Sequence, residues 1–112
     1  MDVSETKFGN ALHLKGFFYL HGKSVLEFKG PIKKGLRMVI WNTELRATSC
    51  SFVKNIDINI GDTAIVEIVI SIPASIVNKI RIGEKYSIGN PGTEIGIFEL
   101  KEIVGEWFGK AP

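Results

Sequence analysis

Two histidines, one cysteine and twelve carboxylates are the side chains of this 112-residue chain with scope for chemistry. His13 alternates with Lys15 in Leu12-His13-Leu14-Lys15, which puts both on one face of a strand, toward solvent. His21 falls at the turn His21-Gly22. Neither has a companion at metal-ligand spacing, and a metal would need ligands from elsewhere in the chain. Cys50 shares a face with Thr48 and Phe52 in Thr48-Ser49-Cys50-Ser51-Phe52, as a small core residue would. A nucleophilic thiol needs a base within hydrogen-bond reach, so a Cys-dependent hydrolase would require Cys50 to meet His13 or His21. Glu99, Glu102 and Glu106 fall late in the chain near Lys101 and read as solvated surface, and Asp62 reads as a turn former. No catalytic, cofactor or metal residue is expected.

The strongest polar feature is basic. Lys23, Lys29, Lys33, Lys34 and Arg37 fall within fifteen positions. Residues 1–60 carry a net charge of +4 and residues 61–112 a net of −2, which recovers the overall +2. A hairpin with one basic end can steer toward an acidic partner or a phosphate backbone. Phe17, Phe18 and Tyr19 lie nearby and are suited to stacking on bases. They are expected instead to fill a barrel, since three consecutive aromatics cannot share one side of a strand. Trp107 and Phe108 follow the last strand. They are expected to fold back over the barrel end, with a contact surface as the other reading.

These residues need a framework, and it is written in β-branched side chains. Sixteen isoleucines, eight valines and five threonines favour pleated surfaces, and twelve glycines and four prolines interrupt any helical spacing. Period-two alternation is plain in Ile56-Asp57-Ile58-Asn59-Ile60 and again from Ala64 to Ile72, where Pro73 should end the ladder. Further strands are expected at 12–20, 24–28, 36–41, 48–54, 85–88 and 93–104. Turns are expected at Gly30-Pro31, Lys34-Gly35, Gly61-Asp62, Gly83-Glu84 and Asn90-Pro91-Gly92. Residues 75–82 fit either a helical turn or a strand. Short strands at this spacing imply one all-β domain. The expected form is a closed antiparallel Greek-key barrel of roughly six to eight strands, because closure hides the edges of an Ile-rich sheet. It would occupy residues 9–108, between a flexible amino terminus (1–8) and a tail (109–112). The length suits one core and not two.

Gly30-Pro31-Ile32-Lys33-Lys34-Gly35-Leu36-Arg37-Met38 resembles the "G-x-I-x-x-G" turn and strand in the second domain of translational GTPases such as elongation factor Tu. Ile60-Gly61-Asp62-Thr63-Ala64 with Val66-Glu67-Ile68 resembles the "G-D" strand entry of the same β-barrels. Ile80-Arg81-Ile82-Gly83-Glu84-Lys85-Tyr86-Ser87-Ile88 resembles their closing strand. The stretch from Gly92 to Ile103 resembles the final strand of the third domain, with Phe98 standing where that pattern has a glycine. The matches run in order over residues 17–105 and mix features of both domains. The resemblance implies a stand-alone barrel of this type, a scaffold that in those factors docks RNA ends and proteins. It implies no GTPase. The chain has no G-x-x-x-x-G-K-[S/T] loop to cradle phosphates, and Val77-Asn78-Lys79-Ile80 lacks the aspartate of a guanine-reading motif.

The even charge balance and the 45% hydrophobic content exclude a disordered chain and argue against a dedicated nucleic-acid or membrane-surface protein. One cysteine excludes an internal disulfide framework and a cysteine-cluster zinc site. No apolar run approaches the ~20 residues of a membrane helix, and the acidic residues near Met1 do not form a signal peptide, so a cytoplasmic location is expected. The expected function is a non-catalytic module that docks a macromolecule, first a protein, through Lys23, Lys29, Lys33, Lys34, Arg37, Trp107 and Phe108. An antitoxin or immunity-type protein would be one concrete form. The alternative is an RNA-binding barrel using the same basic hairpin, which steep salt dependence would distinguish. No cofactor and no nucleotide is expected, and the oligomeric state is left open.

Overall fold

A computed structural model describes residues 11–21, 32–71, 79–90 and 92–107. Six strands account for most of them: β1 (Ala11–Leu20), β2 (Arg37–Trp41), β3 (Thr48–Phe52), β4 (Thr63–Ser71), β5 (Lys85–Asn90) and β6 (Thr93–Glu106). All pair antiparallel and close into a barrel in the order β1-β4-β3-β2-β5-β6. Strands β2, β3 and β4 are successive neighbours, and β5 returns to lie beside β2, which is a Greek key. The expected all-β closed barrel is therefore the observed one, at six strands.

Alternation sorts the side chains. Leu14 and Phe18 of β1, Ile40 of β2, Phe52 of β3, Ile68 and Ile70 of β4, Tyr86 and Ile88 of β5, and Phe98 and Leu100 of β6 point inward and are buried. Each aliphatic or phenylalanine side chain contributes roughly 1.5–3 kcal/mol by leaving water. Bulges fit this flat pattern to a tight cylinder. Strand β6 slips register against β1 between His13 and Leu14 and again between Lys15 and Gly16, and against β5 between Ile88 and Gly89.

Tyr86 is buried in the core. Its hydroxyl donates to the Lys79 carbonyl and accepts from the Arg81 N–H, both at 3.1 Å, which fixes the chain entering β5. Burial raises its pKa above the ordinary value of 10.0.

Two expectations change. Residues 56–60 alternate like a strand but do not form one. Ile56 makes a single bridge with Ile32, Ile58 is buried, and Ile60 is exposed beside the turn at Gly61. The physical reason is closure: both edges of the following strand, β4, are taken by β1 and β3, so no ladder is free for this segment. Strand 48–54 also ends early, at Phe52, although Val53 N–H still reaches the Glu67 carbonyl at 2.9 Å. The strand expected at 24–28, the segment 72–78, the flexible terminus 1–8 and the tail 109–112 lie outside the described residues.

Candidate functional site

Of the expected partner-binding cations, Lys33, Lys34 and Arg37 are described and all three are exposed. They border a turn held by Lys34 N–H to Asn55 Oδ1 at 2.7 Å and Leu36 N–H to the Lys33 carbonyl at 3.0 Å, with Gly35 at φ +85°. Glycine takes that backbone region without strain. The turn is a fixed basic corner. Lys23, Lys29 and Phe108 lie outside the described residues.

Trp107 lies against the start of β1. Its backbone N–H donates to the Ala11 carbonyl at 3.0 Å, and its ring meets His13 edge-on with centroids 5.3 Å apart, along the outer wall. His13 is itself not a free, solvated group. Its Nε2 lies 2.8 Å from Glu67 Oε1, and Lys54 Nζ holds the other oxygen, Oε2, at 2.9 Å. The Lys54 hydrogen bond, with His13 in support, lowers the Glu67 pKa.

His21 also has a carboxylate. Its Nε2 lies 2.8 Å from Glu94 Oε2, while Ser87 Oγ donates to Glu94 Oε1 at 2.5 Å. The order is serine, carboxylate, imidazole. A serine nucleophile needs the imidazole between hydroxyl and carboxylate, so this row is not a hydrolytic triad. Both histidine pairs join residues more than fifty positions apart. Only the strand register could have revealed them.

Cys50 is buried on the inward face, and desolvation pushes its thiol up to about 12. The histidines lie on outward positions and are bound to carboxylates. The barrel wall thus stands between sulfur and imidazole, and the Cys50–histidine pair is not assembled. Among the described residues no three of His, Cys, Asp and Glu gather as a metal site.

The outer wall carries what the sequence reading placed inside. Only Phe18 of the three consecutive aromatics enters the barrel. Phe17 is 39% exposed and Tyr19 41%, and Ile65, paired with Phe17, is 62% exposed. Tyr19 pairs with Ile97, Ile97 with Ser87, and Ser87 with Trp41. One register row therefore runs Tyr19, Ile97, Ser87, Trp41 across β1, β6, β5 and β2. Three shallow hollows follow it. The first lies between Phe17, Tyr19, Lys85 and Ile97. The second shares Lys85 and extends to Ser87 and Trp41. The third shares Trp41 and reaches Leu45, Arg46 and Glu94. Lys101 lies over the Phe17 ring at 5.5 Å and pairs with Glu99 at 2.9 Å, so one rim carries both signs of charge.

The sequence matches no protein-family model and no curated protein. Among the described residues no helix is long and apolar enough to cross a membrane.

Proposed function

We propose that this barrel is a non-catalytic cytoplasmic module that docks a protein partner on its outer wall. The observation that carries the reading is the contiguous exposed group of Ile65, Phe17 and Tyr19. Adjacent large apolar side chains on an outward sheet face cost solubility and serve contact surfaces, where aromatic residues supply most of the binding energy. The basic corner of Lys33, Lys34 and Arg37 is a second contact zone, placed to steer an acidic partner. The six-stranded Greek key is in keeping with the resemblance to the barrel domains of translational GTPases, and kinship with them forms part of the proposal.

A protein is favoured over RNA because each hollow on this wall that holds a cation also holds a carboxylate: Lys85 with Glu99, Lys85 with Glu84, and Arg46 with Glu94. Carboxylates so placed oppose a phosphate backbone. The test is recovery from nuclease-treated cell extract by wild-type protein and by a Phe17→Ser/Tyr19→Ser variant. Both side chains point outward, so the variant keeps the core. A stoichiometric protein retained by the wild type and lost by the variant supports the reading. Retention of RNA alone, abolished by nuclease, contradicts it.

A further inference from the structure

We infer that this chain pairs with a second copy of itself, strand β6 against strand β6, along an edge that the barrel leaves open. This edge is separate from the outer wall of β1 and does not depend on the docking function above.

Strand β6 has 14 residues, and its two neighbours cover it unequally. Pairing with β1 runs from Gly96 to Glu106, whereas pairing with β5 stops at Glu99. Leu100 still bonds the turn before β5: its N–H donates to the Glu84 carbonyl at 3.0 Å, and its carbonyl accepts from the Gly83 N–H at 2.8 Å. Bonded and unbonded pairs alternate along an antiparallel ladder. Leu100 bonds away from β1, and at the far end the Trp107 backbone N–H bonds toward it, to the Ala11 carbonyl. Between them Glu102 and Gly105 pair with Lys15 and His13, while Ile103 and Glu106 pair with Leu14 and Leu12. The alternation therefore turns the N–H and C=O of Ile103 and Glu106 away from β1. Among the described residues no backbone group meets them there.

An added strand is the structure that satisfies such an edge. Its side chains call for apolar cover as well. Ile103 has the inward phase of Leu14 but is 40% exposed, since β5 does not reach it. Val104, the extra residue of the bulge, is 45% exposed. Ile82 is 63% exposed and stands just before Gly83, where the ladder stops.

Self-complementarity identifies the strand. With a two-fold axis between Val104 and Gly105, antiparallel copies set Ile103 of each opposite Glu106 of the other. The free groups then meet in two bonded pairs, about four hydrogen bonds. The same register sets Val104 of each copy opposite Gly105 of the other. Nothing lies within 4 Å of the place where a Cβ on Gly105 would stand, so the bare backbone has room for the valine. Glu106 of one copy is diagonal to Lys101 of the other, and no two carboxylates stand directly opposite. A slip of one residue that sets Glu102 opposite Glu106 brings like charges together. Each copy uses its one edge, so the assembly closes at two.

The experiment is sedimentation equilibrium of the wild-type chain from about 5 µM to about 1 mM, with amide hydrogen exchange across the same range. The paired edge is short, so a weak dimer is expected, its fraction rising over this range. Exchange at the Ile103 and Glu106 amides is expected to slow as the dimer forms. Val104→Lys is expected to weaken the dimer at least about tenfold, and Phe17→Ser/Tyr19→Ser to leave it intact. A monomer up to 1 mM, exchange at Ile103 and Glu106 that ignores concentration, or assembly growing beyond two copies would each overturn the inference. So would a dimer lost with Phe17 and Tyr19, or a folded Val104→Lys variant that pairs like wild type. The exchange measurement needs only the wild-type chain and decides the matter even where the lysine variant does not fold.

Discussion

Phe18 and Phe98 face each other across the β1–β6 ladder, and each lays its ring over a glycine of the opposite strand. Phe98 covers Gly16 and Phe18 covers Gly96. A Cβ on Gly16 would lie 2.9 Å from the Phe98 ring and would collide with the Glu99 carbonyl. A Cβ on Gly96 would lie 2.6 Å from the Phe18 ring and would collide with the Tyr19 carbonyl. The two buried rings of the seam fit because the backbone beneath them is bare. Gly16→Ala and Gly96→Ala are each expected to destabilise the barrel by about 1–3 kcal/mol or more, read from urea unfolding midpoints. Midpoints equal to wild type would contradict the packing.

Tyr86 combines a buried ring with a hydroxyl that bonds both Lys79 and Arg81. Tyr86→Phe keeps the ring and leaves a carbonyl and an N–H without that partner. A loss of about 1–3 kcal/mol is expected. Hydrogen exchange should report faster exchange at the Arg81 amide, with the barrel strands little changed.

Glu67 gives the stability a pH dependence. Its pKa is lowered in the folded state, chiefly by Lys54, so the unfolded chain takes up its proton first as pH falls. The stabilisation is therefore complete above the ordinary carboxylate value of 4.5 and is lost as pH falls through the lower folded value. Lys54 is well exposed, so solvent holds the contribution to under ~1 kcal/mol. Glu67→Gln is expected to cost stability near pH 7, and its difference from wild type to narrow as pH falls below the ordinary carboxylate value of 4.5. A difference that widens on acidification would contradict the pair.

Cys50 should be inert in the native protein. Its thiol is buried and pushed up to about 12, so a thiol reagent at about pH 8 finds almost no thiolate and no access. Labelling is expected to be slow in buffer, complete in denaturant, and limited by unfolding in between. Rapid labelling of folded protein would place the sulfur somewhere other than the core.

The barrel was legible because its period is. Ala64, Val66, Ile68 and Ile70 alternate, and β4 is the central member of two ladders. Ile56, Ile58 and Ile60 carry the same signal and form no strand, because alternation reports a face and cannot report whether a partner edge is vacant. The fixed turn at Lys34-Gly35 was legible from glycine placement. The outward Phe17 and Tyr19 were not. Hydrophobicity argued for the interior, and only Phe18 has the phase of Leu14 and Leu20. The His13–Glu67 and His21–Glu94 pairs needed the register, which no local pattern contains.

The docking surface itself is tested most directly by a photo-crosslinking side chain placed at Tyr19, with Lys34 as the comparison site, in living cells. A discrete, nuclease-resistant protein adduct from position 19 is the expected result. Adducts from position 34 alone, or adducts that nuclease removes, would contradict the outer wall of β1 as the place where this barrel holds its partner.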